Sequence, residues 1–192
     1  MSKPGFRDVL AAVGSGLHAW SLVEMALADL FASLSESHPH EVFGTIISFE
    51  TRLAICDRLM SLTPLEPLEQ AMWLKLSSRL SKSYKKRHEL AHFTLGKDAK
   101  GNRVIYPFLT TETWRLRNAR ILSESQIKER RQSFQYLEHA ITWFSKQAVR
   151  SRMPLQASQM PPLEEPLLVV RLRELASQNP AEQQSPHQPD PE

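Results

Sequence analysis

The densest chemistry in this chain lies in six consecutive residues, Arg87-His88-Glu89-Leu90-Ala91-His92. Two reactions suit them. His88 and His92 stand four apart with Glu89 between them, the HExxH arrangement in which two imidazoles on one helical face hold zinc and the glutamate serves as general base. Arg87 and His92 also form an Arg-x4-His pair. A guanidinium can hold a phosphate bidentately and balance transition-state charge, while a histidine, which titrates near neutrality, can move the proton of a ribose 2′-hydroxyl or of the leaving oxygen. This second chemistry requires no metal and no cofactor.

The two readings make different demands on the surrounding sequence. A hydrolytic zinc needs a third protein ligand, and the nearest downstream candidates are Asp98, beyond Gly96, and Glu112. Gly96 stands one residue late for the extended HExxHxxGxxH pattern, and Asp98 takes the place of its last histidine. Lys85, Lys86 and Arg87 lie immediately upstream, where cations oppose a dication. The same cations suit a phosphate: Arg79, Lys82, Lys85, Lys86, Arg87, Lys97, Lys100 and Arg103 face only Glu89 and Asp98 across this stretch. A basic run of this kind also serves simply to solvate the outer face of a helix.

Several elements must position the run. Leu68 to about Leu95 contains neither Gly nor Pro and follows the breaker Thr63-Pro64-Leu65-Glu66-Pro67, so it reads as one central helix. At ~100° per residue, Trp73, Leu76, Leu80, Tyr84, Leu90 and Ala91 share one side, and Arg87 falls near its middle. An arginine there calls for a buried carboxylate, such as Glu24 or Glu50, or for an interface or a ligand. From Phe6 to Leu34, Leu10, Leu17, Trp20, Val23, Leu27, Leu30, Phe31 and Leu34 recur at helical spacing, with Gly14-Ser15-Gly16 as a point to break or kink. The pattern restarts from Val42 to Leu62 with the stripe Val42, Ile46, Phe49, Leu53, Cys56 and Met60. Gly96 to Phe108 reads as a short hairpin or loop, turning at Asp98 to Asn102 and confined to an edge by Pro107. Ser123-Glu124-Ser125-Gln126 is a capping-box pattern for a last helix reaching Val149, with the stripe Ile127, Arg131, Phe134, Leu137, Ile141, Phe144 and Ala148. The expected fold class is all-α, an antiparallel helical bundle with a short hairpin or loop excursion.

With Arg87, His88 and His92 near the end of such a central helix, the chain resembles the HEPN family, helical-bundle proteins that include metal-independent ribonucleases carrying Arg-x4–6-His with a polar residue after the arginine. The resemblance covers residues 6 to 149, with Trp20 and Glu24 in the first helix, Arg52 in the second and the helix from Ser123 to Val149 fitting the layout. It implies that Arg87 binds phosphate and that His92 is the general acid or base. His88 is then the polar member of the motif, and Glu89 and Lys86 are accessory candidates. His88 stands where Asn is commonest in the family, and Phe93 where Gly is frequent. Thr94 occupies the tyrosine position of the Arg-x4-His-x-Tyr subgroup, so modification of that tyrosine by a partner nucleotidyltransferase is not expected. On a regular helix Arg87 and His92 point ~140° apart. Family members bring two motifs into one cleft by dimerising. The resemblance thus implies a homodimer, RNA as ligand and a protein antitoxin or immunity partner.

At 192 residues and 41% hydrophobic, the chain suffices for one core with a tail. Residues 1–150 are expected to form the helical domain and 151–192 a Pro-rich extension, which holds 8 of the 13 prolines. Within it only Leu167 to Ala176 suits a short helix, and disorder is expected after Ser177. A net charge of +3 leaves any affinity for polyanions to local clustering. The single cysteine, Cys56, excludes an intrachain disulfide and a Cys-based zinc cluster, and suits a reducing cytoplasm. The uncharged run from Val9 to Val23 contains His18 and falls short of the roughly 18 apolar residues of a spanning helix, and no export signal precedes it, so no membrane association is expected. Trp20 and Trp73 suit a core, whereas Trp114 beside Arg115, Arg117 and Arg120 suits base stacking. Three function classes stay open on the sequence: a metal-independent ribonuclease, an HExxH zinc hydrolase, and a non-catalytic helical binding or interaction module with a degenerate motif.

Overall fold

Helical periodicity dominates the computed structural model, which describes residues 5–35, 39–107, 121–153 and 160–178. Helix occupies 76% of them, which makes the chain mainly α. The helices are α1 (Phe6–Leu34), α2 (Pro39–Thr45), α3 (Phe49–Leu62), α4 (Pro67–Ala91), α5 (Glu124–Arg152) and α6 (Leu167–Ser177). Between α4 and α5 an antiparallel pair, β1 (Phe93–Lys97) and β2 (Arg103–Pro107), aligns Leu95 with Ile105 and Lys97 with Arg103. Residues 108–120, which include Trp114 with its arginines, and the tail from residue 179 lie outside the described residues.

Local chemistry sets the ends of these elements. Pro67 opens α4 at a position where a missing N–H costs nothing, and Glu69 reaches back to accept from the Glu66 N–H at 3.2 Å. The capping box before α5 is formed in both directions: Gln126 N–H donates to Ser123 Oγ at 3.3 Å and Ser123 N–H donates to Gln126 Oε1 at 2.9 Å. The central helix ends at Ala91, four residues before the expected Leu95, because Phe93, Thr94 and Leu95 pair with β2 instead. Asp98 organises the hairpin turn. Its carboxylate accepts from the Lys100 and Asn102 N–H groups and from Asn102 Nδ2 at 2.8–2.9 Å, which holds it below the usual carboxylate range. Gly101 supplies the turn's positive φ of 75°.

The chain divides into two compact units. The first takes residues 1–26 and 80–138. Its core comprises Val9, Val13, Trp20 and Val23 from α1, Leu80 and Leu90 from α4, Val104 and Ile105 from β2, and Ile127, Phe134 and Leu137 from α5. Leu10, expected in the stripe, is 45% exposed. The buried line is instead Val9, Val13, Gly16, Trp20 and Val23, alternating four- and three-residue steps. Gly14-Ser15-Gly16 does not break α1. A Cβ on Gly16 would lie 3.0 Å from Leu90 Cδ1, so the glycine marks a close approach of α4. Its propensity cost of about 1 kcal/mol is less than the roughly 1.5–3 kcal/mol contributed by each large apolar side chain buried beside it.

The second unit takes residues 27–79 and 139–192. The single helix expected from Val42 to Leu62 is two, because the chain leaves helical geometry at Ile46 to Ser48. Ser48 caps α3 through the Thr51 N–H, and Arg52 Nε donates to Ile46 O at 2.6 Å across the break. Val42 is consequently exposed, while Phe43 is buried and stacks on Phe31 at 4.7 Å. Cys56 is buried beside Asp57. Burial first, and then the Asp57 charge, push its thiol up to about 12. Leu168, Val169, Leu172 and Ala176 of α6 are buried, and the expected domain boundary at residue 150 falls inside α5. Among the described helices only α1 is long and apolar enough to cross a bilayer by length and composition, and its Trp20, Val23, Leu27 and Leu30 are buried in protein.

Candidate functional site

The last turns of α4 belong wholly to the first unit, and two contacts fix them. Arg130, from α5, is buried; its Nη1 donates to the Lys86 carbonyl at 3.0 Å and its Nη2 pairs with the Glu89 carboxylate. Arg130 and Glu89 side chains are only 7% and 12% exposed, so this ion pair is largely withdrawn from water. It holds both the backbone and one side chain of the turn that carries the motif. Lys86, an accessory candidate on the sequence, contributes its carbonyl to this anchor.

On another face of the same turns the rings of Tyr84, His88 and His92 follow one another at four-residue steps. Tyr84 meets His88 at 4.7 Å and His88 meets His92 at 5.7 Å, the two imidazole planes being 20° apart. Inward, Tyr84 lies 6.1 Å from Trp20, which in turn packs edge-on against Phe134 at 5.1 Å and donates its indole N–H to Glu24 at 2.8 Å. The row of rings thus runs from the core of this unit to His92, which is exposed. His92 lies just beyond the helix, yet its N–H still donates to His88 O at 3.0 Å, so the helical spacing persists to the end of the motif.

Arg87 is half-buried, and its Nε is buried without a hydrogen-bond partner. Neither Glu24 nor Glu50 pairs with it, and among the described residues no carboxylate does. Among the described residues this side chain therefore lacks the carboxylate partner that would make it a strut. A buried donor of this kind costs free energy until an acceptor arrives.

Glu89, which the zinc reading needs as a free base, is the partner of Arg130. Among the described residues no group of three or more His, Cys, Asp or Glu side chains stands where it could hold a metal. Asp98 is occupied by its turn, and Glu112 lies outside the described residues. Gly96, one residue off the extended zinc pattern, has its own explanation: a Cβ there would sit 2.4 Å from Tyr106 Cε2, whose ring covers the glycine while its hydroxyl donates to Lys97 O at 2.7 Å.

The residue missed on the sequence is Arg130. The stripe expected for α5 includes Arg131, which is exposed. The signal was present, because Ile127, Arg130, Phe134, Leu137, Ile141 and Phe144 alternate steps of three and four without exception. No protein-family model, curated protein or solved structure matches the chain.

Proposed function

We propose that the chain is a metal-independent endoribonuclease of HEPN type, built as an antiparallel helical bundle that dimerises to bring two copies of Arg87 and His92 into one cleft. The observation that carries this reading is the half-buried Arg87, whose Nε is buried without a hydrogen-bond partner and whose guanidinium meets no carboxylate among the described residues, five positions before an exposed histidine. In the reaction, Arg87 holds the non-bridging oxygens of the scissile phosphate. His92 of one copy takes the proton of the adjacent 2′-hydroxyl, and O2′ attacks phosphorus. The P–O5′ bond breaks, and protonated His92 of the second copy gives its proton to O5′, leaving a 2′,3′-cyclic phosphate and a 5′-hydroxyl. One histidine cannot serve as base and acid on opposite sides of the phosphorus at the same moment, which is the chemical reason for two copies. His88 packs against His92 and keeps its ring oriented.

Incubation of the full chain with single-stranded RNA in excess EDTA tests this. Cleavage with cyclic-phosphate ends is expected to persist in EDTA and to fall by roughly 10²–10⁴-fold in His92→Ala, with a comparable loss in Arg87→Ala. RNA binding without cleavage in wild type would replace the nuclease reading with that of a non-catalytic RNA-binding module. Cleavage that stops in EDTA and returns with zinc would replace it with the HExxH hydrolase.

A further inference from the structure

The structure places His88 and His92 in an arrangement that neither catalysis nor packing fully uses. Their rings are 5.7 Å apart, centre to centre, with planes 20° from parallel. The i to i+4 spacing is held by the His92 N–H bond to His88 O. Among the described residues neither imidazole is engaged in a hydrogen bond. Two imidazoles that share one transition-metal ion at about 2.0–2.1 Å from each nitrogen have ring centres roughly 5 Å apart in a tetrahedral arrangement. Histidines at i and i+4 on one helical face have the spacing to share such an ion when their rings turn toward each other.

We propose that His88 and His92 are a clasp for a divalent transition-metal ion, copper or zinc, and that loading the clasp switches the site off. Two ligands make a site that water completes, and no third His, Cys, Asp or Glu side chain joins them among the described residues. Glu89, the base that would turn bound zinc into a hydrolytic centre, is held by Arg130. An imidazole nitrogen that is bonded to a metal cannot accept or deliver a proton, so metal on His92 removes the group that the proposed reaction needs. Lys85, Lys86 and Arg87 repel a dication, which confines the clasp to ions that bind imidazole strongly. The order of occupancy is copper above zinc, with magnesium, which prefers oxygen, not bound. The inhibitory half of this proposal rests on the ribonuclease reading, whereas the chelating half does not.

The test uses the full chain without an affinity tag, in wild type and in Arg87→Ala, His88→Gln and His92→Gln, each checked for unchanged circular dichroism. Zinc and copper salts are titrated by calorimetry and by imidazole resonances in NMR, with magnesium as control. The expected result is one-to-one binding of zinc with a dissociation constant below roughly 100 µM, weakened at least about tenfold in either histidine variant and unchanged or tightened in Arg87→Ala, which removes one of the repelling cations. RNA cleavage by wild type is expected to fall in step with zinc saturation and to recover in EDTA. Absence of saturable binding, or binding indifferent to both histidine variants, overturns the clasp and leaves the nuclease reading untouched. Zinc binding that raises cleavage overturns the inhibitory role. Binding at His88 and His92 in a chain that cleaves no RNA in EDTA supports the clasp and overturns the nuclease.

Discussion

Truncating Glu89 gives the sharpest separation of the two overlapping motifs, because each assigns that residue a different task. In the structure Glu89 neutralises Arg130, and the two side chains are 12% and 7% exposed. Glu89→Ala leaves the guanidinium buried with the Lys86 carbonyl as its one acceptor among the described residues. Stranding one member of such a pair costs about 3–5 kcal/mol, a large share of the roughly 5–15 kcal/mol that holds a typical domain folded. With a urea slope of about 2 kcal/mol per molar, a loss near ~4 kcal/mol lowers the midpoint by roughly 2 M. Glu89→Gln keeps the shape and one acceptor and is expected to lose about half as much. In the double variant Glu89→Leu with Arg130→Met, no charge is left stranded and most of the midpoint is expected to return. The assay is urea denaturation followed by circular dichroism and tryptophan fluorescence together, so that separate unfolding of the two units is visible; the loss then falls on the transition of the unit that contains Arg130. A Glu89→Ala midpoint within about 0.3 M of wild type would refute the anchor and return Glu89 to candidacy as a catalytic base.

Arg87→Ala is expected to leave the urea midpoint unchanged or to raise it by up to about 1 kcal/mol of stability, since it removes a buried N–H that has no acceptor; a marked drop would mean that Arg87 is a strut. The Asp98 carboxyl is held low by its bonds to Asn102 and Lys100, so its contribution to the hairpin is complete above the ordinary value of 3.8 and is lost as pH falls through the lower folded value. The Asn102 side-chain amide resonances should therefore shift only in strong acid, and Asp98→Ala should abolish that transition; an unchanged acid transition in the variant would assign it elsewhere. Cys56, buried and with its thiol pushed up to about 12, should resist a thiol-reactive disulfide reagent at pH 8 until denaturant is added, and prompt labelling of the native chain would contradict the burial.

Much of the helical framework was legible in the sequence, and the departures have local causes. Periodicity located α1, α4 and α5 because each carries several turns of apolar repetition, and the capping box at Ser123 fixed one boundary to the residue. Four details escaped. Leu10 and Val42 fit the hydropathy stripes yet are exposed, because Gly16, a small residue, and Phe43, a neighbouring aromatic, set which side faces inward. The break at Ile46 to Ser48 was hidden because its stabilising contact, Arg52 on the Ile46 carbonyl, is a side-chain bond that no hydropathy pattern records. The helix α4 ends before the expected Leu95 because Phe93 to Leu95 suits helix and strand alike, and pairing with β2 across the turn at Asp98 decides between them.

The motif itself illustrates a more general limit. HExxH and Arg-x4-His share His92, and both are satisfied by the same six letters, so spacing alone could not separate them. What separates them physically is which polar groups the fold has already satisfied. Arg130 uses Glu89 and the Lys86 carbonyl, and nothing among the described residues uses the Arg87 guanidinium. A carboxylate already neutralised by a buried cation is a poor base, because accepting a proton would leave that cation uncompensated. An unpaired guanidinium bears the opposite relation to a ligand, since an arriving phosphate satisfies a donor that the fold leaves open. The decisive residue stands forty-one positions from Glu89 in sequence, and its own signal was a polar side chain on the regular three- and four-residue line of an apolar stripe. A charged residue on such a line, in a helix whose stripe is otherwise apolar, points to a buried partner, and here the partner lies inside the motif.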